Sequence, residues 1–326
     1  MMEGASVREY VVNGVRLHVA EAGEGPLVVL CHGWPELAFS WRHQIPALAA
    51  AGYRVAAPDL RGFGRSDAPA DVGAYTMLHL VGDVVGLVQA LGAREAVVVG
   101  HDWGANVAWS CALLRPDLFR AVAALSVPFR PRASAAPVRA LAAAGRDRFY
   151  WAYFQEPGVA EAEFERDVDD TLRRVLGGLG ASDRPRAPDE VLTLPEDGGF
   201  LDMLRRPERL PEWLGEAELA VMVEAFRRTG FRGGLNYYRN IDRNWELTAP
   251  WEGAAVRQPA LFVAGARDPV ILAPFGRQAL EAMPARVPGL RRTVLIEGAG
   301  HWIQQERPRE VNAALLDFLA GLGGTS

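Results

Sequence analysis

Short apolar segments with strand character alternate with segments of helical periodicity, and this order constrains the fold more than any other feature of the chain. The first two strands flank Asn13-Gly14, a dipeptide typical of the tight turn of a β-hairpin. Strands that alternate with helices predict a mostly parallel sheet with helices on both faces. The predicted strands are 7–12, 15–21, 26–31, 52–58, 95–100, 121–127, 259–265 and 292–298.

Helical periodicity fills the spaces between most of these strands. In the segment 76–91, apolar residues recur at the spacing of one helix face, which we expect to be buried. The residues predicted on that face are Leu78, Val81, Val85 and Val88. The other core helices are predicted at 41–50, 104–115, 274–283 and 308–321.

A largely helical stretch interrupts the alternation between residues 129 and 250. The strand pattern resumes after it, so one core with an insertion explains the order better than two tandem domains. We therefore predict a core domain formed by 1–128 and 251–326, with a helical cap, or lid, at 129–250. Within the cap, the Gly-, Pro- and Asp-rich stretch 177–199 is predicted to be an exposed loop that gates access.

The charge balance argues against several function classes. Basic residues number 35 and acidic residues 40, and no block of like charge points to nucleic acid or to an anionic membrane. The chain contains no lysine, which excludes Schiff-base chemistry on a lysine and a phosphate-binding P-loop. No signal peptide or membrane-spanning apolar run is visible, and Cys31 and Cys111 are predicted to be buried thiols. We expect a cytoplasmic protein.

The strongest local signal is the segment 100–105, Gly-His-Asp-Trp-Gly-Ala, between a predicted strand and a predicted helix. Small residues flank Asp102 on both sides, as a sharp strand-to-helix turn requires. Such a turn, the nucleophile elbow, lifts one side chain above the carboxyl edge of the sheet. The alternative is an Asp that only caps the helix, but this does not explain the flanking glycines. The sequence therefore predicts Asp102 as a nucleophile.

Two further residues follow later strands at the same edge. Asp268 lies in Gly-Ala-Arg-Asp-Pro (265–269), and His301 lies in Gly-Ala-Gly-His-Trp (298–302). The chain order of nucleophile, acid and histidine is typical of a catalytic triad at one sheet edge. We predict that Asp268 orients His301, which acts as a base.

The segment His-Gly-Trp-Pro-Glu (32–36) follows the third strand. Its backbone N–H at Trp34, together with that of Trp103, is predicted to form an oxyanion hole. The alternative is a proline-stiffened loop without a chemical role. No dinucleotide fingerprint and no metal-ligand spacing is present, so no metal and no cofactor is expected.

A carboxylate nucleophile limits the chemistry. Asp102 is ionised at neutral pH and can attack a saturated carbon to form an alkyl ester. Water can then attack the carbonyl of this ester. The ether that a serine would form has no carbonyl and so cannot be hydrolysed in this way. The sequence therefore indicates alkyl transfer followed by hydrolysis, with haloalkanes and epoxides as the main substrate types. An epoxide oxygen needs an acid nearby, and a tyrosine hydroxyl can supply the proton.

Taken together, the motifs at 32–36, 100–104, 265–269 and 298–302 resemble those of the soluble epoxide hydrolases of the α/β-hydrolase superfamily. The resemblance continues into the cap at 148–163 (RFYWAYFQEPGVAEAE) and 234–240 (GLNYYRN), so it spans nearly the whole chain. It implies the α/β-hydrolase fold, with an eight-stranded, mostly parallel sheet flanked by helices and an inserted helical lid.

The resemblance also implies two lid tyrosines that hold the epoxide oxygen. They fall on Tyr150 and Tyr238, with Tyr153 as the alternative to Tyr150 because Trp151 stands where the family often has Gln. The implied reaction converts an epoxide and water to a vicinal diol through an ester on Asp102. The substrate is expected to be a small hydrophobic epoxide in a pocket lined by Trp151 and Trp302, and the protein to be a monomer or a homodimer.

Two other functions stay open on the sequence alone. A haloalkane or haloacid dehalogenase shares the Asp elbow, the second Asp and the His, but the lid tyrosines argue against it. A ligand-binding protein without turnover can keep the same residues on the same scaffold. A serine esterase is disfavoured because no Gly-x-Ser-x-Gly motif is present.

Overall fold

A computed structural model describes residues 4–180 and 192–323 of the chain. The strands of its one sheet are β1 (Ser6–Val12), β2 (Val15–Ala22), β3 (Leu27–Cys31), β4 (Arg54–Pro58), β5 (Ala96–His101), β6 (Phe119–Leu125), β7 (Ala260–Gly265) and β8 (Leu290–Ile296). Their spatial order is β1-β2-β4-β3-β5-β6-β7-β8, and only the β1-β2 and β2-β4 pairs are antiparallel. The predicted eight-stranded, mostly parallel sheet is confirmed.

Helices cover both faces of this sheet. Alternate residues of β3 point to opposite sides, so Val28 belongs to one buried cluster and Val29 to the other. The helices that flank the sheet or cross its carboxyl edge are α1 (Gln44–Ala50), α2 (Met77–Ala90), α3 (Trp103–Leu114), α11 (Pro269–Leu272), α12 (Pro274–Arg286), α13 (Ile303–Glu306) and α14 (Pro308–Ala320). Short 3₁₀ helices are found at Ala38–Trp41, Val72–Tyr75, Leu201–Met203 and Ala249–Trp251.

The segment between β6 and β7 is helical, as predicted. Its helices are α4 (Pro137–Ala143), α5 (Tyr150–Tyr153), α6 (Val159–Phe164), α7 (Val168–Leu179), α8 (Glu216–Thr229), α9 (Arg232–Arg239) and α10 (Ile241–Leu247). Helix α9 packs closely on the loop after β4, because a side chain on Gly233 would collide with the backbone of Gly62. The Tyr237 hydroxyl also donates to the Arg61 carbonyl at 2.9 Å, so the cap is held firmly over the carboxyl edge of the sheet.

Two local predictions need correction. Helix α2 buries Val81 and Val88 as predicted, but Leu78 is 40% exposed and Val85 is only partly buried. The rest of the buried face carries Leu80, Val84 and Leu87. The buried face is centred one position further round the helix than the predicted stripe, which is why Leu78 reaches solvent.

The predicted loop at 177–199 is shorter than expected at both ends. Helix α7 continues to Leu179, and Leu192 and Leu194 are buried. The predicted gating segment at 181–191 lies outside the described residues. In the part of the chain that the structure describes, no helix combines the length and the apolar character needed to cross a membrane.

Candidate active site

Asp102 stands at a sharp turn between β5 and α3. Its backbone adopts φ 52° and ψ −118°, a conformation that residues with a side chain rarely adopt. The turn is tight because backbone packs on backbone: a side chain on Gly104 would collide with the Cys31 carbonyl, and one on Gly100 with the Gly104 carbonyl. Gly100 and Gly104 therefore permit the predicted elbow because they let backbone segments approach each other closely. The elbow presents the Asp102 carboxylate above the sheet edge.

His301 and Asp268 lie beside this carboxylate. The Nδ1 atom of His301 is 3.1 Å from both Asp268 oxygens, and its Nε2 atom is 3.6 Å from Asp102 Oδ2. Asp268 is fully buried and also accepts a hydrogen bond from the Val270 N–H at 2.8 Å, which fixes the carboxylate at the start of α11. The three residues predicted from separate strand ends are thus brought together.

The charges around His301 decide its protonation. Burial alone lowers the pKa of the His301 imidazole, but the carboxylates of Asp268 and Asp102 outweigh burial and raise the pKa well above its usual value. The two carboxylates therefore favour the protonated form of His301 in the free enzyme.

The loop after β3 supplies a donor to the other oxygen of Asp102. The Trp34 N–H donates to Asp102 Oδ1 at 2.9 Å. Gly33 allows this approach because a side chain there would collide with Asp102. The N–H of Trp103, the first residue of α3, belongs to the helix-terminal donors without an intrahelical acceptor. The two N–H groups predicted for the oxyanion hole thus belong to the chain segments that flank the carboxylate.

A buried pair that the sequence analysis missed ties these loops together. The Nδ1 atom of His101 lies 2.6 Å from Glu36 Oε2, and its Nε2 atom lies 2.8 Å from the His301 carbonyl oxygen. Both ring nitrogens thus face oxygen atoms, one on the Glu36 carboxylate and one on the backbone. Burial acts to raise the pKa of Glu36, but the charge and hydrogen bond of His101 lower it to about 2.

The same carboxylate organises the neighbouring loops. Glu36 accepts from the Gly33 N–H at 2.9 Å and from the Gln304 side chain at 2.8 Å. The oxyanion loop, the elbow and the histidine loop therefore share one buried ionic centre. In the sequence, the glutamate of the 32–36 motif was the signal from which this centre could have been predicted, but its partners are far apart in the chain.

Two tyrosines of the inserted helical segment share a cavity with Asp102. Tyr150 and Tyr238 line that cavity, and their ring centroids are 5.6 Å apart. Burial, followed by the charge of Asp102, raises the pKa of Tyr150; burial, followed by Tyr150 and Asp102, raises that of Tyr238. Both hydroxyls therefore keep their protons at neutral pH. The alternative residue, Tyr153, points elsewhere and donates to Glu163 at 2.8 Å.

The cavity that holds these groups has a volume of about 360 Å³. Trp103 and Trp151 line it, as do Trp109, Leu113 and Phe129, so its walls are largely apolar and aromatic. A second cavity of about 20 Å³ lies on the His301 side and also touches Asp102, Tyr150 and Tyr238. Asp102 thus borders both a large compartment and a smaller one with room for a water molecule.

Trp302 differs from its prediction as a pocket residue. It is fully buried and lines neither of these cavities. Its ring packs against those of His301 and His101, with centroids 4.7 and 5.8 Å apart. The ring therefore supports His301 from inside the core instead of lining a cavity.

Within residues 4–180 and 192–323, no cluster of three or more His, Cys, Asp or Glu side chains is arranged to hold a metal ion. Cys31 and Cys111 are both buried and unpaired, as predicted.

Comparison with known proteins identifies the family. The family model of the α/β-hydrolase fold matches residues 26–308. Epoxide hydrolase A of Mycobacterium tuberculosis is 52% identical over 95% of this chain and 96% of its own, and the epoxide hydrolase of Caballeronia sordidicola is 43% identical over 96% and 94%.

Solved structures agree with this. The crystal structure of epoxide hydrolase A from Mycobacterium thermoresistibile matches with a TM-score of 0.92 and 53% identity, covering 98% of this chain and all of that one. An epoxide hydrolase from an endophytic Streptomyces matches with a TM-score of 0.93 and 49% identity, covering 98% and 96%. The chain therefore belongs to the epoxide hydrolases of the α/β-hydrolase fold.

Proposed function

We propose that Asp102, His301 and Asp268 hydrolyse an epoxide to a vicinal diol in two steps, with Tyr150 and Tyr238 as acids. Membership of the family makes epoxide hydrolysis the activity of this chain. The observation that carries the residue assignment is the position of Asp102, which lines one cavity together with both tyrosines. A dehalogenase needs no such acids, because a halide leaves without a proton.

In the first step, Asp102 attacks a ring carbon. Oδ1 is held by the Trp34 N–H, so Oδ2 is the oxygen that forms the new C–O bond. The ring C–O bond breaks, and the released oxygen takes a proton from Tyr150 or Tyr238. The product is a hydroxyalkyl ester whose carbonyl oxygen is Oδ1.

Esterification changes the state of His301. The negative charge of Asp102 disappears, so one of the two carboxylates that raise the pKa of His301 no longer acts. The imidazolium then returns a proton to the tyrosinate and becomes a neutral base. The pKa of His301 is thus high in the free enzyme and falls once the ester has formed, when the second step needs a neutral base.

In the second step, a water molecule attacks the ester carbonyl and gives a proton to His301. The small cavity beside His301 is large enough for one water, which needs roughly 10–15 Å³. The Trp34 and Trp103 N–H groups stabilise the charge that develops on Oδ1. When the ester C–O bond breaks, the diol oxygen takes the remaining carboxyl proton, which restores Asp102.

The cavity also indicates the substrate and the domain roles. Its apolar, aromatic walls favour a small hydrophobic epoxide. We assign residues 1–128 and 251–326 to a catalytic core and 129–250 to a cap that covers it. The cytoplasmic location and the monomeric or homodimeric state stay predictions from the sequence. Assays of diol formation with a panel of alkyl and aryl epoxides, alongside halide release from haloalkanes, test the activity class.

Removing the nucleophile charge should change the titration of His301. In Asp102→Asn, the pKa of the His301 imidazole is expected to fall relative to wild type, because one of the two carboxylates that raise it is neutralised. Histidine titration followed by NMR measures this shift. An unchanged His301 pKa in the variant would show that Asp102 does not act on the base.

Removal of the tyrosine hydroxyls should slow ring opening. Tyr150→Phe and Tyr238→Phe are each expected to lower kcat about tenfold, and the double variant by about 10²-fold or more, because proton donation to the leaving oxygen is lost. Tyr153→Phe is the control, since that hydroxyl is bound to Glu163 outside the cavity. A larger loss with Tyr153→Phe than with Tyr150→Phe would reverse the assignment.

A further inference from the structure

Arg130 is an arginine in the substrate cavity whose charge the mechanism above does not use. It follows β6 at the carboxyl edge of the sheet, and its half-buried side chain lines the same cavity as Asp102. The guanidinium carbon lies 5.4 Å from the Trp151 ring centroid and 5.6 Å from that of Phe275. These two rings support the cation and hold it in place.

No acidic side chain within the described residues pairs directly with this cation. Among residues 4–180 and 192–323, no carboxylate forms an ion pair or a hydrogen bond with Arg130. Arginines in such surroundings are normally paired, because a charge removed from water needs a partner. The nearby Arg132 lines the same cavity and follows this rule, since it donates to Glu252 at 3.0 Å and to the Trp245 carbonyl at 2.9 Å.

The chemistry of the cavity limits what a partner for Arg130 can be. Its guanidinium presents a planar set of donors that matches the two oxygens of a carboxylate. Arg132 is already bound to Glu252, so among the described residues that line the cavity Arg130 is the available cation, which suits a single negative charge better than a phosphate. The remaining walls are largely apolar, which suits a hydrocarbon linker between the charge and the reacting ring.

We propose that Arg130 binds a carboxylate on the substrate, so that the preferred substrates are apolar epoxides that carry an acid group. The carboxylate occupies the Arg130 end of the cavity while Asp102 attacks the ring, with the hydrocarbon between them along the aromatic wall. The inference rests on the proposed epoxide hydrolysis and makes Arg130 a specificity-determining residue rather than a catalytic one.

A purely electrostatic role for Arg130 makes a different prediction. Asp102, the nucleophile, and Tyr150, one of the proposed acids, are the groups of the site with which Arg130 interacts electrostatically. A cation that only assisted these two groups would affect every epoxide equally. A cation that binds the substrate acid affects acids far more than their neutral counterparts, so matched substrates separate the two roles.

The test compares a series of terminal epoxides that end in a carboxylate, each paired with its methyl ester. The ratio of kcat/KM for acid over ester is measured for wild type, Arg130→Met, Arg130→Lys and Arg309→Met. Arg309 is an exposed arginine outside the cavity, so its variant removes the same charge elsewhere. We expect the ratio to fall about tenfold or more in Arg130→Met, mainly through KM. Arg130→Lys should keep part of the preference and Arg309→Met all of it.

Equal losses of kcat/KM for acids and esters in Arg130→Met would overturn the proposal. A wild-type ratio of acid to ester no higher than that of this variant would overturn it as well. Calorimetry of the diol acid and the diol ester on the wild-type protein gives a second measurement that needs no folded variant. Binding of the acid no tighter than the ester overturns the proposal, and tighter binding supports it. Absence of diol from every epoxide would instead count against the proposed function, and the calorimetry would still report on Arg130.

Discussion

The Asp102→Ala variant is expected to lose diol formation by more than about 10⁴-fold while it remains folded. The loss follows because Asp102 supplies the oxygen that attacks the ring, and no other carboxylate among the described residues lines the two cavities around it. Alanine keeps the β-carbon and removes only the carboxylate, so the sharp backbone turn does not have to accommodate a larger side chain. The measurement is diol yield from the epoxides that the wild type converts.

The matched control for this experiment is Asp117→Ala. Asp117 is an exposed carboxylate that pairs with Arg115 at the surface, so its removal changes the net charge equally without touching the cavities. Circular dichroism of both variants shows whether each is folded. Substantial diol formation by a folded Asp102→Ala variant would mean that water opens the ring directly, and the two-step scheme would be wrong.

The His301→Gln variant is expected to accumulate the ester instead of releasing diol. Ring opening needs the Asp102 carboxylate and a tyrosine proton, and neither comes from His301. Hydrolysis needs a base beside the ester, and glutamine is not one. With saturating epoxide, the intact mass of the variant should rise by the mass of one substrate, and digestion should locate the addition on the peptide that contains Asp102.

Two further measurements show whether the mass increase in this variant reports the covalent route. His79→Gln changes an exposed histidine and should show no mass increase at steady state. In a single turnover of wild type in water labelled with heavy oxygen, the label should enter the Asp102 carboxylate, since the diol takes its new oxygen from Asp102. Label that appears only in the diol, together with an unmodified His301→Gln, contradicts the covalent route.

Features that depend on local spacing were predictable from the sequence. The eight strands, the helical insertion and the elbow around Asp102 each leave a short pattern of apolar, glycine or polar residues. The meeting of Asp268 with His301 was also predictable, because parallel strands end at one edge and both residues directly follow a strand.

Features that depend on long-range packing were not predictable in this way. The face of α2 that is buried depends on which side of the sheet it meets, and Leu78 fell on the wrong side. Trp302 follows His301 in the chain, but its ring packs behind the histidine instead of entering the cavity. The Glu36–His101 pair, and the absence of a carboxylate partner for Arg130 among the described residues, become visible only when distant segments are placed together.

The contact of the elbow backbone with β3 has a consequence for how this enzyme can diversify. Asp102 is located by main-chain atoms of Gly100, Gly104 and Cys31, which are the same whatever side chains surround them. The cavity walls, by contrast, come largely from side chains of the inserted segment and the loop after β6. Mutations that alter substrate range can therefore accumulate in those walls, while the reacting carboxylate keeps its coordinates.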